Sequence, residues 1–336
     1  MAGKREYQPP YAVTPAIVTL AAQIGEAVGR LAAVADSPRA LRLRRINRIR
    51  TIRGSLAIEG NTLSEEQVTA VLNGKPVVAP PREIQEVRNA IAAYDRLEQW
   101  QPDSEADLLA AHRHLMQGLI DEAGTYRRGG VGVIAGDQML HMAPPAHRVP
   151  VLMDNLLRWL SVSEAHPLVA SSVSHYEFEF IHPFADGNGR IGRLWQTVIL
   201  SRWNPVFTDI PIESLVHAHQ AEYYRALDES TQGNDSAPFI AFMLRMILDA
   251  IVTTTPQVAR QVTPQVMRLL AAMRGDEMSR EAIQGALGLQ DRKSFRERYL
   301  KPALAAGLVE MTLPDKPNSR LQRYRLTQKG RRYLPG

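Results

Sequence analysis

The chain has 336 residues, of which 45% are hydrophobic and 22% charged, the composition of a globular protein able to bury its own core. It contains no cysteine, which excludes disulfides, thiolate metal sites and cysteine nucleophiles together and fits a reducing compartment. The net charge of +5 is unevenly spread: residues 264–336 hold 15 basic and 7 acidic residues, and the rest of the chain 25 basic and 28 acidic ones. This asymmetry suggests a separate basic C-terminal module with an acidic partner such as a nucleic acid, a solvated basic surface being the alternative. The opening MAGKREYQPPYAVTP lacks an apolar leader core, and no run reaches about 18 consecutive apolar residues. No secretion signal, no membrane span and a cytoplasmic location are therefore expected.

Taken in chain order, residues 14–50 read as helical. Ile17, Leu20, Ala21, Ile24, Val28, Leu31 and Ala32 recur at three- and four-residue spacing. Arg42, Arg44, Arg45, Arg48 and Arg50 then crowd a second helical stretch and read as a solvated helix face. Helical patterns continue over 64–73, 82–98 and 104–120. Residues 129–150, GGVGVIAGDQMLHMAPPAHRVP, break the rhythm with Gly, Pro and short alternating apolar stretches, which predicts a small β-hairpin flap. Helices are predicted again over 151–160, 168–181, 190–202, 212–230 and 237–252. The main body is mostly α.

The C-terminal segment has its own order. A helix is predicted over 264–274, and a second, N-capped by Ser279, ends at Gly288. A third over DRKSFRERYLKPALAAG is interrupted at Pro302, and LVEMTL and LQRYRLT form two strands around the turn PDKPNS. Helix–helix–helix–hairpin is the pattern of a winged helix-turn-helix domain. Arg292, Lys293, Arg296, Arg298, Lys316, Arg320, Arg323 and Arg325 would make its basic face. The same fold also serves in protein docking and dimerisation.

The segment richest in chemistry is His182-Pro-Phe-Ala-Asp-Gly-Asn-Gly-Arg-Ile-Gly-Arg193. It joins two helical patterns, so Gly187, Asn188 and Gly189 stand where the second helix begins. Unpaired N–H groups and the positive end of the helix dipole make such a turn an anion site. Arg190 and Arg193, three apart, share a helix face and suit a polyphosphate. Asp186 offers a hard carboxylate for Mg²⁺, and His182 can take a proton near neutral pH. A base, a carboxylate, an amide nest and paired arginines in twelve residues are a combination that chance seldom assembles, and together they suit a polyphosphate.

The stretch HPFADGNGR matches the Fic motif, His-Pro-Phe-x-[Asp/Glu]-Gly-Asn-[Gly/Lys]-Arg, at every defined position, and GTYRRGGVGV with the Gly/Pro-rich stretch after it resembles the Fic flap region. The resemblance covers about residues 14–250. Ser55-Leu-Ala-Ile-Glu59-Gly60 further resembles the Fic inhibitory motif, [Ser/Thr]-x-x-x-Glu-[Gly/Asn], in the class that carries it N-terminal within the same chain. The resemblance implies a mainly α fold: a Fic-type helical bundle with a hairpin flap and a C-terminal winged helix. It divides the chain into an inhibitory helical region (1–103), a catalytic core (104–252) and the winged helix (253–336).

The activity implied is transfer of AMP from ATP to Tyr, Thr or Ser hydroxyls of protein targets and of the chain itself. His182 would be the base and Asp186 would hold Mg²⁺. Gly187, Asn188, Gly189 and Arg190 would bind phosphates, Arg193 would orient the γ-phosphate, and Phe184 would anchor the loop. Glu59, with Ser55, would pair with Arg193 and inhibit. Gly at 189, rather than the Lys of the phosphotransferring subfamily, argues against a kinase-like reaction. The flap near 131–141 would lay the target segment beside the site. Tyr223 and Tyr224 read as core, with contact to the base as the alternative. An enzyme that also removes AMP, a DNA-binding regulator that senses ATP, and a homodimer stay open.

Overall fold

The computed structural model describes residues 7–32, 38–135, 138–259, 264–273, 277–314, 316, 319–331 and 333. The chain divides into two compact units, Met1–Ala33 with Leu43–Thr254, and Val34–Arg42 with Thr255–Gly336. In order, the first helices are α1 (Pro15–Ala32), α2 (Pro38–Ile58), α3 (Glu65–Leu72), α4 (Pro81–Tyr94) and α5 (Glu105–Met116). Strands β1 (Gly132–Ala135) and β2 (Gln138–Met142) follow, then α6 (Val149–Val162), α7 (Pro167–Ile181), α8 (Asn188–Trp203), α9 (Ile212–Ala218), α10 (Gln220–Gly233) and α11 (Ala237–Ala259).

Local chemistry starts these helices. Ser64 caps α3 through a capping box with Gln67, Ser104 accepts from the Asp107 N–H at the start of α5, and prolines stand in the first turns of α4 and α7. The expected helix over 212–230 is two helices, broken at His219, whose ψ of 32° leaves the helical range. The expected flap is an antiparallel hairpin whose register shifts between Val133 and Ile134, as at a bulge. Residues 136 and 137 of the flap lie outside those described.

Helices α7 and α8 pack against each other at the centre of the first unit. Leu168 to Glu179 of α7 and Ile191 to Leu200 of α8 are buried without interruption. Such all-round burial is what a central helix requires. Each large apolar side chain buried there stabilises by about 1.5–3 kcal/mol. Segment Ala237–Thr254 of α11 is long and apolar enough to cross a membrane by length and composition, yet 61% of it is buried in the protein. The α2 arginines are not a merely solvated face. Arg44 pairs with Asp209 at 3.0 Å, Arg48 with Asp95, Arg50 with Glu65 at 3.8 Å, and Arg45 bonds Asn73. The Arg42 side chain lies outside those described.

The second unit holds α12 (Pro264–Ala272), β3 (Met278–Ser279), α13 (Arg280–Ala286), α14 (Arg292–Phe295), α15 (Lys301–Ala305), β4 (Val309–Met311), β5 (Arg323–Leu326) and α16 (Gln328–Arg331). Val266, Leu269, Leu270, Ile283, Phe295 and Tyr324 are among its core residues. Two findings differ from expectation. The hairpin gains a third strand, giving an antiparallel sheet in the order β3-β5-β4, because the two residues before α13 pair with β5. The third helix is also not broken at Pro302. A π-helical turn over Arg296–Leu300, closed by the Lys301 N–H on the Arg296 carbonyl, joins α14 to α15, and Pro302 stands in the first turn of α15. Residues 315, 317 and 318 of the expected turn lie outside those described.

Candidate active site

The motif occupies the junction between the two central helices. After Ile181 the chain reverses at His182, a left-handed residue with φ 50° and ψ 62°. A side chain in this region is strained, so the surroundings must impose it. Arg127 supplies the main constraint. It is 3% exposed, and its guanidinium donates to the carbonyls of His182 (2.7 Å), Ile181 (3.2 Å), Gly129 (2.8 Å) and Pro144 (2.5 Å). Its backbone N–H donates to Pro183 at 2.9 Å. One buried side chain thereby ties the base of the flap to the turn at His182. The His182 Nδ1 lies 3.3 Å from the Glu179 carbonyl. A carbonyl only accepts, so Nδ1 carries the hydrogen and Nε2 keeps its lone pair.

The loop that follows is fastened from inside. Phe184 is fully buried and stacks on His112 at 3.6 Å with the rings 4° from parallel. His112 accepts from the Gly124 N–H and donates to the Asp186 carbonyl, both at 2.9 Å. Burial, with the Arg190 charge second, pushes its pKa down to about 4, so it holds the loop as a neutral ring. Asn188, expected among the phosphate ligands, spends both side-chain polar atoms on Phe184: its Oδ1 accepts from the N–H at 2.8 Å and its Nδ2 donates to the carbonyl at 2.9 Å. In this structure it shapes the loop. Gly187 has φ 83°, and an added Cβ would stand 2.6 Å from Met116 Sδ. Only glycine fits there without displacing its neighbour.

From Gly187 onward α8 opens with its first N–H groups lacking intrahelical acceptors, an anion nest by construction. Asp186 Oδ1 accepts from the Gly187 N–H (2.6 Å) and from Arg190 (2.9 Å), and its Oδ2 meets Arg82 at 3.4 Å. The carboxylate is 40% exposed. One exposed carboxylate fits Mg²⁺, which takes most of its ligands from phosphate oxygens and water. Among the described residues no group of three or more metal-ligating side chains gathers.

Arg190 and Arg193 are both buried, but they answer to different carboxylates. Arg190 reaches Asp186 and, at 3.4 Å, Glu86 of α4. Arg193 donates to Ser55 Oγ (3.2 Å), to the Ser55 carbonyl (3.0 Å) and to Glu59 Oε1 (2.6 Å). Burial works against the Arg193 charge, but Glu59 more than offsets it, and its pKa lies above the ordinary arginine value. Glu59 also presses on Gly189, where an added Cβ would lie 2.3 Å from its Oε1. All nine site residues read from the sequence thus meet at one place, and Ser55 and Glu59 reach it from α2 and the turn after it.

Tyr223 is 2% exposed, with its hydroxyl 3.2 Å from His175, a core position; Tyr224 is partly buried and accepts from Gln220. Sequence reasoning missed Glu86, His112, Arg127 and Glu179. For His112 a signal existed: it shares the buried stripe of α5 with Leu108, Ala111 and Leu115, where a polar ring needs a reason.

Residues 102–200 match the Fic/DOC family, and residues 264–327 match the domain described as "Filamentation induced by cAMP protein Fic-like, C-terminal domain". A Fic family protein of Desulfovibrio desulfuricans G20, known as a crystal structure, is 55% identical; the match covers 96% of this chain and 99% of that one, with a TM-score of 0.72. A Fic domain containing signaling protein from Bacteroides thetaiotaomicron shares the fold at 19% identity, over 70% of this chain and 97% of that one, with a TM-score of 0.61. The protein adenylyltransferase Fic of Aedes aegypti is 30% identical over 63% of this chain and 43% of its own length. The chain spans less than half the length of such curated relatives. Its fold, its motif and its near full-length likeness to a solved relative establish that the chain belongs to the Fic family.

Proposed function

We propose that the chain is a protein adenylyltransferase held in check by its own Glu59. The observation that carries this reading is the pairing of a base with a phosphate site: His182 has its Nδ1 hydrogen spent on the Glu179 carbonyl, leaving Nε2 as an acceptor beside the α8 nest. In the proposed step a Tyr, Thr or Ser hydroxyl of a protein target gives its proton to His182 Nε2. Its oxygen forms a bond to the α-phosphorus of ATP, and the bond from that phosphorus to the pyrophosphate oxygen breaks. The N–H groups opening α8 and the Arg190 guanidinium stabilise the charge that develops on the phosphoryl oxygens. Asp186 would hold Mg²⁺, which when bound neutralises phosphate charge. Arg193 is the natural partner of the γ-phosphate, and Glu59 now occupies it at 2.6 Å. Gly189 keeps the helix start open, which supports AMP rather than phosphate transfer.

The test is direct. Wild type, Glu59→Gly and His182→Ala are incubated with Mg²⁺ and ATP labelled at the α- or the γ-phosphate. Label from the α-position alone, strongest in Glu59→Gly and absent in His182→Ala, is expected. Label from the γ-position would overturn AMP transfer, and equal labelling of wild type and Glu59→Gly would overturn inhibition.

A second reading concerns the C-terminal unit, as a winged helix that binds DNA. Arg292, Lys293 and Arg298, on the continuous helix that begins with α14, are exposed and have no ion pair among the described residues. That supports phosphate-backbone contact. Full-length protein should be retained on duplex DNA in a salt-dependent way, and Arg292→Glu with Lys293→Glu should abolish it. Retention unaffected by the charge reversal would sink this reading.

A further inference from the structure

Beneath His182 lies a carboxylate that the reaction as written does not use. Glu179 is 6% exposed, and its Oε1 is buried with no hydrogen-bond partner among the described residues. Oε2 stands 3.9 Å from His182 Nδ1, and Oε1 stands 3.7 Å from His175 Nε2. No lysine or arginine among the described residues forms an ion pair with it. Such a group is expensive to bury, since an ionised carboxylate gives up its hydration. Burial alone would neutralise it, yet the nearby His175 ring, then the charges of His182 and Arg193, hold its pKa below the ordinary glutamate value. The fold even makes room for it: at Gly192 an added Cβ would lie 2.8 Å from Glu179 Oε1.

We propose that Glu179 is a positioning residue for His182, its charge stabilising the imidazolium that forms when Nε2 takes the target's proton. The inference rests on the adenylyltransferase reading. The backbone carbonyl of the same residue fixes the tautomer, and the side chain supplies the charge, so Glu179 orients and strengthens the base without touching substrate. The other titratable and charged groups around this pair are His175 on the same helix, Arg193 of α8, Tyr223 and Tyr224 of α10, and Glu59. Of the carboxylates, Glu59 is bonded to Arg193, whereas Glu179 lies against the two histidines. A purely structural alternative exists, in which Glu179 only balances His175.

The experiment compares Glu59→Gly with Glu59→Gly/Glu179→Gln, following α-labelled AMP on the protein from pH 5.5 to 9 at saturating ATP. The rate should fall by about tenfold to a hundredfold, with the KM for ATP within about twofold. The acid limb, where the base becomes protonated and activity is lost, should move about one pH unit lower, because the imidazolium has lost its counter-charge. Reaction of His182 with diethyl pyrocarbonate in nucleotide-free protein, read by mass spectrometry of its peptide, should become faster at pH 6 for the same reason. If Glu179→Gln does not melt cooperatively, Glu179→Asp, which keeps the charge but withdraws it by a methylene, carries the same test with a smaller shift in the same direction. An unchanged pH profile and unchanged His182 reactivity in a folded variant would overturn the proposal and leave a partner of His175 only. Absence of α-label in Glu59→Gly itself would instead overturn the adenylyltransferase reading, and this proposal with it.

Discussion

Removing Glu59 should tighten ATP binding and weaken the empty protein at once. The Arg193 side chain is 2% exposed, Glu59 33%, and their contact is 2.6 Å. Two charges about 4 Å apart at an effective dielectric near 20 attract by roughly 4 kcal/mol. The exposure of Glu59 and ordinary salt reduce this to about 2 kcal/mol, well under the cost of breaking a fully buried pair. The two Ser55 bonds keep Arg193 in place when Glu59 is gone. In wild type the γ-phosphate must first displace Glu59, so Glu59→Gly should bind ATP about 30-fold more tightly. The same loss should lower the melting temperature of the nucleotide-free protein by about 4–8 °C. Calorimetric titration with ATP and Mg²⁺, with His182→Ala added to both proteins to prevent turnover, measures the first effect, and thermal unfolding without nucleotide the second. Equal dissociation constants within twofold would refute the reasoning, whatever happens to the labelling rate.

Two further outcomes follow from groups away from the phosphates. Glu213 is buried, its Oε1 accepts from Tyr94 and Thr197, and its Oε2 has no hydrogen-bond partner among the described residues; burial raises its pKa, so the folded state favours the proton. Stability from this group is present at low pH and lost as pH rises above the ordinary carboxylate range, so Glu213→Gln should stabilise by about 1–3 kcal/mol at pH 8 and by progressively less toward pH 4.5, read from urea midpoints; a pH-independent difference would contradict this. Arg127→Lys keeps the charge but not the fork that serves four carbonyls, so it should cost on the order of 3 kcal/mol in the same assay and slow AMP transfer in the Glu59→Gly background; a neutral result would remove Arg127 as the clamp on His182.

Much of the architecture was legible because helical periodicity and helix starts are local properties. The serines before α3, α5 and α13 and the Gly-Asn-Gly opening α8 carry their own signals. The split at His219 was not legible, since no glycine or proline marks it. The π turn was not legible: Pro302 signals a fault in the hydrogen-bond ladder but not how the helix accommodates it. In the site, the residues inside one twelve-residue motif were readable together. Glu59 is legible only through its own short motif, which resembles the family's. Arg127 and Glu86 were not readable at all: they meet their partners 55 and 104 positions away, and in sequence each is one charge among many. Asn188 shows the converse: its place was legible from the motif, but not that its side chain bonds the Phe184 backbone of its own loop.

Position 189 joins the two halves of the proposed mechanism and allows them to be separated by experiment. A glycine there lets a phosphate approach the start of α8, and it also seats Glu59, whose Oε1 would lie 2.3 Å from any added Cβ. That oxygen is the far end of a side chain, so it can move aside, but moving aside takes it off Arg193. Gly189→Ala should therefore loosen inhibition while leaving Glu59 itself intact. Its direct effect on phosphate binding confuses the single variant, so the informative quantity is the coupling in a double-mutant cycle. In the Gly189→Ala background, Glu59→Gly should change ATP affinity by less than about threefold, against about 30-fold with glycine at 189. If the full effect persists in both backgrounds, Glu59 does not depend on the space at position 189, and the opening of α8 is not its seat.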